Sequence, residues 1–240
     1  MSVIASRFTD TLAAAGAQYA GIIGVCGGIA CGKSTALTFL SSRSEVPVIC
    51  VSADAFGHAA YAPGGPAHAS VAALFPSAVG DGGVIDRAAL GAAVFNDSAA
   101  RAALNAAVWP AVAELVLNEF KERAIALRGV ATTALPPPVG VLEAALLVEA
   151  GWASQCDSVW LLSVSRETAI SRVLARGGGA DREAASRRVD AQPDAAARLA
   201  AARAAGVLVD AEFDTGGSIQ DTQARMEAPW LSFLSKCKSR

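Results

Sequence analysis

Residues 21–40 read G-I-I-G-V-C-G-G-I-A-C-G-K-S-T-A-L-T-F-L. The apolar run Gly21-Ile22-Ile23-Gly24-Val25 leads into Gly27-Gly28-Ile29-Ala30-Cys31-Gly32-Lys33-Ser34, which fits G-x-x-x-x-G-K-[ST] and is followed by the helix-forming Ala36-Leu37-Thr38-Phe39-Leu40. Strand, glycine loop and helix stand in the order that a phosphate-binding loop (P-loop) requires. Glycines let main-chain N–H groups turn inward around phosphate oxygens, and the helix that follows offers its positive end to the same anion. Residues Gly27 to Thr35 are therefore the expected triphosphate cradle. Lys33 would reach the β- and γ-phosphates, and the Ser34 hydroxyl would ligate Mg²⁺.

The chain has 240 residues, enough for one large α/β domain or a core domain with a small insert. Hydrophobic residues make up 53%, but alanine inflates that figure, so the branched and aromatic residues must define the core layers. A formal net charge of −2 argues against nucleic acid and for a small anionic partner. Five cysteines, Cys26, Cys31, Cys50, Cys156 and Cys237, lack metal-ligand spacing, and an odd number argues against a disulfide framework. Cys31, inside the loop, is either a small tolerated residue or a thiol whose pKa the helix end lowers. No continuous apolar run reaches spanning length, Glu143 and Glu149 interrupting the best one, so a soluble, cytoplasmic protein is expected with no membrane span. Residues 1–20 read as an N-terminal extension, a short helix or frayed tail, with a mitochondrial presequence as the alternative.

Apolar, β-branched segments alternate with helical ones, the pattern of a parallel sheet covered on both faces. Five strands are expected near 21–26, 46–51, 139–143, 157–164 and 206–210. The long span between the second and third strands implies a helical subdomain over 60–128. Within it Pro63-Gly64-Gly65-Pro66 reads as a turn and Gly80-Asp81-Gly82-Gly83 as a loop. Asp97 or Ser98 can cap a helix to about 108, and Pro110 suits the first turn of another reaching Arg128. Leu104, Val108, Val112, Leu115 and Phe120 are its expected core residues. Residues 166–203, rich in arginine and broken by Gly177-Gly178-Gly179, read either as two helices forming a mobile lid or as a solvated hairpin. A closing helix near 218–235 is expected to break at Pro229 and to bury Trp230, Phe233 and Leu234.

Many phosphotransfer proteins share such a loop. No N-K-x-D guanine-reading motif and no L-S-G-G-Q signature occurs, and the D-x-x-G match at Asp214 falls too late for a GTPase. Asp54, just past the second strand, is a candidate base for an acceptor hydroxyl, or it caps a helix starting near Ala55.

The stretches G-G-I-A-C-G-K-S-T (27–35), S-A-D-A-F-G-H-A-A-Y-A-P-G-G-P-A (52–67), G-V-I-D-R-A-A-L-G-A-A-V-F (83–95), Trp109-Pro110, L-E-A-A-L-L-V-E-A-G-W (142–152), R-V-L-A-R (172–176) and R-V-D-A-Q (188–192) together resemble dephospho-coenzyme A kinases. The resemblance runs in order from about residue 21 to 228. It implies a P-loop NTPase fold with a helical substrate insert and a lid, with residues 21–240 as the kinase domain. It implies transfer of the ATP γ-phosphate to the ribose 3′-hydroxyl of dephospho-CoA, with Mg²⁺. Under it Asp54 is the base, while Lys33, Arg172, Arg176 and Arg188 carry the triphosphate and transition-state charge. His58, Arg87 and Arg101 lie toward the acceptor; Arg87 and Arg101 either bind its phosphates or pair with Asp86 or Asp97. Glu143 and Glu149 serve the metal or cap a helix. Ser52 stands where the family has the first aspartate of a D-x-D pair. Another small-molecule kinase and a non-catalytic nucleotide-binding protein are the alternatives, and the oligomeric state is open.

Overall fold

The computed structural model describes residues 7–95, 97–130, 135–176 and 181–238. Five strands, β1 (Gly21–Gly27), β2 (Val48–Ser52), β3 (Val139–Glu143), β4 (Ser158–Ser163) and β5 (Ala211–Asp214), form one sheet in the order β2-β3-β1-β4-β5. β1 pairs in parallel with β3 and β4, and β4 with β5, with Gly24 set between Leu142 and Val159. Every residue of β1 is buried, as a central parallel strand with both faces covered must be. The helices are α1 (Phe8–Ala14), α2 (Lys33–Ser41), α3 (His68–Leu74), α4 (Arg87–Phe95), α5 (Ser98–Val130), α6 (Arg166–Ala175), α7 (Arg182–Asp190), α8 (Ala195–Ala204) and α9 (Ile219–Lys238).

The chain separates into two compact units, Met1–Val51 with Phe120–Arg240, and Ser52–Glu119. In the first, α2 and α9 pack on each other and on the sheet, and Val25, Phe39, Leu40, Trp160, Phe213, Trp230 and Phe233 share one core cluster. Among the described residues of the N-terminal extension, Phe8–Ala14 form α1. Phe8 and Leu12 are buried, and Arg7 Nη1 donates to Asp157 Oδ1 at 2.8 Å while Asp157 Oδ2 accepts from Ile22 N.

The second unit is built of short elements. Its 3₁₀ turns Ala53–Phe56 and Ala59–Tyr61 precede α3, and His68 Nε2 donates to Gly83 O at 2.7 Å, pinning α3 to the glycine loop. Asp86 Oδ1 accepts from Ala88 N and Ala89 N at the start of α4, and Asp97 Oδ1 from Ala99 N and Ala100 N at the start of α5.

Four expectations are corrected. The fifth strand is not at 206–210: Gly206, at φ 70°, and Val207 close α8 by bonding Arg203 O and Ala202 O, and the strand begins at Ala211. Pro110 does not start a new helix, because α5 runs through it; residue 106, whose carbonyl loses its N–H partner there, is solvent-exposed. Pro229 likewise lies inside α9, held by buried Met226, Trp230, Phe233 and Leu234 on either side. In α5 the buried residues include Val112, Val116, Phe120 and Ala124 at i,i+4 spacing, with Ala111 and Ala113 beside them, while Leu104, Val108 and Leu115 are half-buried, so Val116 takes the place given to Leu115.

α5 also revises the reading of apolar length. Ser98–Gly129 reaches a mean hydropathy of 1.3 over an 18-residue window, long and apolar enough to cross a membrane by length and composition alone. Alanines raise the value without a continuous run, and the buried i,i+4 stripe is the pattern of a helix packed within protein.

Candidate active site

The loop between β1 and α2 has the geometry its sequence requires. Gly27 sits at φ 149°, where a Cβ would meet Leu162 O at 2.3 Å, and Gly32 at φ 87°. Ala30 holds φ 59°, a left-handed conformation costly for a residue with a Cβ. Such strain persists only where the surroundings fix it, and here they do. Arg172 Nη1 donates to Ala30 O at 3.1 Å and to Thr215 Oγ1 at 3.1 Å, while Thr215 Oγ1 donates to Cys31 O at 3.0 Å. Gln192 Oε1 accepts from Ile29 N at 2.7 Å.

Lys33 Nζ donates to Gly27 O and Gly28 O at 3.2 and 3.3 Å and lies 3.7 Å from Glu143 Oε1 at the end of β3. A cavity of about 220 Å³ lined by Gly32, Lys33, Ser34, Glu143 and Arg176 joins the loop to the last residue of β3. A second, of about 150 Å³, is lined by Gly32, Ser34, Thr35, Arg172, Arg176, Thr215 and Gly217. The sheet thus brings together Gly27 to Thr35, Arg172 and Arg176. Arg188 lies exposed in the last turn of α7 and lines neither cavity.

Residues 166–203, expected to hold two helices, contain three described ones, α6, α7 and α8. Ser165, Asp181 and Asp194 cap α6, α7 and α8 with their side chains. The proposed hinge Gly177-Gly178-Gly179 lies outside the described residues. Arg166 binds Asp190 in bidentate fashion at 2.7 Å, tying α6 to α7. A cavity of about 370 Å³ beneath these helices is lined by Gly28, Ile29, Leu162, Gln192 and Arg198, among others.

Arg198 escapes sequence reasoning altogether. It is 1% exposed, donating from Nε to Pro193 O and from Nη1 to Ala145 O and Glu149 Oε1. Glu149 Oε1 is engaged by Arg198, while Glu149 Oε2 is buried with no hydrogen-bond partner among the described residues. Thr215, which also joins this site, has no sequence signal beyond its place in the D-x-x-G match Asp214-Thr215-Gly216-Gly217.

In the second unit Asp54 lies exposed in the 3₁₀ turn Ala53–Phe56, whose N-cap is Ser52, so Asp54 is not the capping residue. Asp86 and Asp97 accept from main-chain N–H groups, and among the described residues neither pairs with Arg87 or Arg101. Arg87 Nη2 instead donates to His58 Nε2 at 2.6 Å.

Cys31 is not an activated thiol. It is 2% exposed, and burial pushes its pKa up against the opposing pull of Lys33. Cys26 is pushed up by burial to about 12, and none of the five cysteines forms a disulfide.

A glycine cradle closed by a lysine, with arginines from an overlying helical segment and a parallel sheet beneath, defines a P-loop phosphotransferase. The family model described as dephospho-CoA kinase matches residues 21–212. The chain belongs to the dephospho-CoA kinase family. It is 37% identical over 217 residues to the dephospho-CoA kinase of Geobacter sulfurreducens, covering 87% of this chain and 96% of that protein. It is 36% identical over 210 residues to that of Moorella thermoacetica, covering 87% and 90%. The crystal structure of TT1252 from Thermus thermophilus superimposes with a TM-score of 0.66 at 30% identity, covering 90% of this chain and 98% of that one.

Proposed function

We propose that this chain transfers the γ-phosphate of ATP to the ribose 3′-hydroxyl of dephospho-CoA, giving CoA and ADP. The observation that carries the reading is the Gly27–Thr35 cradle, with Lys33, Arg172 and Arg176 around it, in a chain whose family model spans residues 21–212.

Lys33 is held on Gly27 O and Gly28 O beside Glu143, so its ammonium is pre-positioned to turn onto the β- and γ-phosphates. Among the described residues no carboxylate pairs with Arg176 or Arg188, leaving both cations available for the charge that spreads over the transferred group. Arg172 holds Ala30 O and Thr215 and lines the second cavity beside Arg176, so it both shapes the loop and adds positive charge next to the triphosphate. Asp54 accepts the proton of the 3′-hydroxyl as the O3′–Pγ bond forms and the bond from Pγ to the β-phosphate oxygen breaks.

The cavity between loop and β3 offers the Ser34 hydroxyl and the Glu143 carboxylate, hard oxygen donors that suit magnesium shared with triphosphate oxygens. When bound, the ion neutralises charge on the β- and γ-phosphates. Arg87 and Arg101, which pair with no carboxylate among the described residues, are the acceptor-side cations. A cytoplasmic site of action fits the bacterial relatives, and nothing supports the mitochondrial alternative.

Purified protein given ATP, Mg²⁺ and, in turn, dephospho-CoA, adenosine, nucleoside monophosphates and pantothenate tests the assignment. Coupled detection of ADP should show dephospho-CoA turned over in clear preference to the rest. Preferred turnover of another acceptor, or ATP binding without transfer to any, would reject it.

A further inference from the structure

Three side chains of the second unit form one hydrogen-bonded row. Arg87 Nη2 lies 2.6 Å from His58 Nε2, and His58 Nδ1 lies 2.6 Å from Tyr61 Oη. The His58 and Tyr61 rings meet edge-on, with centroids 5.7 Å apart and planes at 89°. The direction of every hydrogen in this row follows from elementary chemistry. A guanidinium carries donors only, so His58 Nε2 must supply a lone pair, and the imidazole is neutral with its hydrogen on Nδ1. That hydrogen goes to Tyr61 Oη. The hydrogen of the Tyr61 hydroxyl is therefore left to donate elsewhere, and burial pushes the Tyr61 pKa up, against the lowering effect of Arg87.

What the row presents to an incoming molecule is thus one O–H and the remaining N–H groups of an exposed cation. Asp86, the adjacent carboxylate, is committed to the main chain of α4. A donor hydroxyl beside an exposed cation is complementary to an oxyanion. An amide carbonyl can also accept the Tyr61 hydrogen, but it carries no net charge to match Arg87. The one strongly anionic feature of a dephospho-CoA molecule is its diphosphate.

We propose that Tyr61 is a specificity-determining residue for the acceptor: its hydroxyl, oriented through His58 by Arg87, donates to a diphosphate oxygen of dephospho-CoA while Arg87 offsets the charge. The proposal rests on the kinase reading above. It adds a residue, Tyr61, and a direction of hydrogen bonding that make a 5′-diphosphate part of what is recognised.

Steady-state kinetics with each substrate varied in turn test it. Tyr61→Phe removes one oxygen and keeps the ring, and is expected to raise KM for dephospho-CoA about tenfold, the low end for a hydrogen bond to a charged acceptor, with KM for ATP within about twofold. Calorimetric titration of dephospho-CoA into the same variant should show the same loss in Kd. Because Tyr61 and Arg87 act on one group, Tyr61→Phe combined with Arg87→Met should lose less affinity than the product of the two single losses. An unchanged KM and Kd for dephospho-CoA in Tyr61→Phe would overturn the proposal, as would equal rises in KM for both substrates. Wild-type protein without activity on dephospho-CoA would instead overturn the kinase reading on which it stands.

Discussion

Arg198 on α8 and Glu149 in the turn after β3 are joined by an ion pair at 3.1 Å, with the arginine side chain 1% exposed. The same guanidinium holds Pro193 O, next to the Gln192 that accepts from the loop N–H of Ile29. A buried cation thus fixes the start of α8 to the turn after β3, beside the Gln192 that meets the phosphate loop.

Removing one member of such a pair leaves the other charged and poorly solvated. Arg198→Ala is expected to cost about 3–5 kcal/mol of stability, read as a shift in urea midpoint. Arg198→Met with Glu149→Leu, which removes both charges, should recover much of that loss.

Thr215 links β5 to the loop, accepting from Arg172 and donating to Cys31 O. Thr215→Val keeps the shape and deletes the hydroxyl. It is expected to cost about 1–3 kcal/mol by leaving buried polar groups unmatched. Calorimetric titration with ATP should also show weaker binding, since the loop carbonyls are no longer held.

The Cys31 thiol is buried and its pKa raised, despite its place in the loop. Brief alkylation of native protein near neutral pH should leave Cys31 unmodified by peptide mass spectrometry, while denatured protein reacts at that position. Rapid native labelling would contradict the environment described.

Arg43 binds Glu45 and Glu227, each at 2.6 Å, and holds the Glu45 carboxyl down from 4.5 to about 2. A lowered folded-state pKa stabilises the protein above the unfolded value, and that contribution fades as pH falls from 4.5 toward about 2. Glu45→Gln should therefore lower Tm slightly at neutral pH and flatten its decline across this acid window. The effect is small because the pair is partly solvent-screened.

The loop could be read from sequence because its chemistry acts on adjacent residues: Gly27, Gly32, Lys33 and Ser34 owe their roles to local backbone geometry. Four strands were legible for a related reason, since buried parallel strands are continuous apolar runs. β5 was not, because Val207 and Leu208 look like strand residues while the true edge strand Ala211–Asp214 is mostly outside the core. Pro110 and Pro229 misled because packing can hold a helix across a missing hydrogen bond. Arg198, Gln192 and Thr215 act on main-chain atoms remote in sequence, and no local pattern announces that. The contacts of Arg172 with Ala30 O and Thr215 are likewise remote in sequence and carry no local signal.

Asp54 as the acceptor's base, working with the phosphate loop, is the claim on which the catalytic account turns. Asp54→Asn measured by single-turnover transfer from γ-labelled ATP to dephospho-CoA should lose about 10²–10⁴-fold in rate, with the Kd for ATP within about twofold of wild type. A transfer rate within about tenfold of wild type would contradict that role.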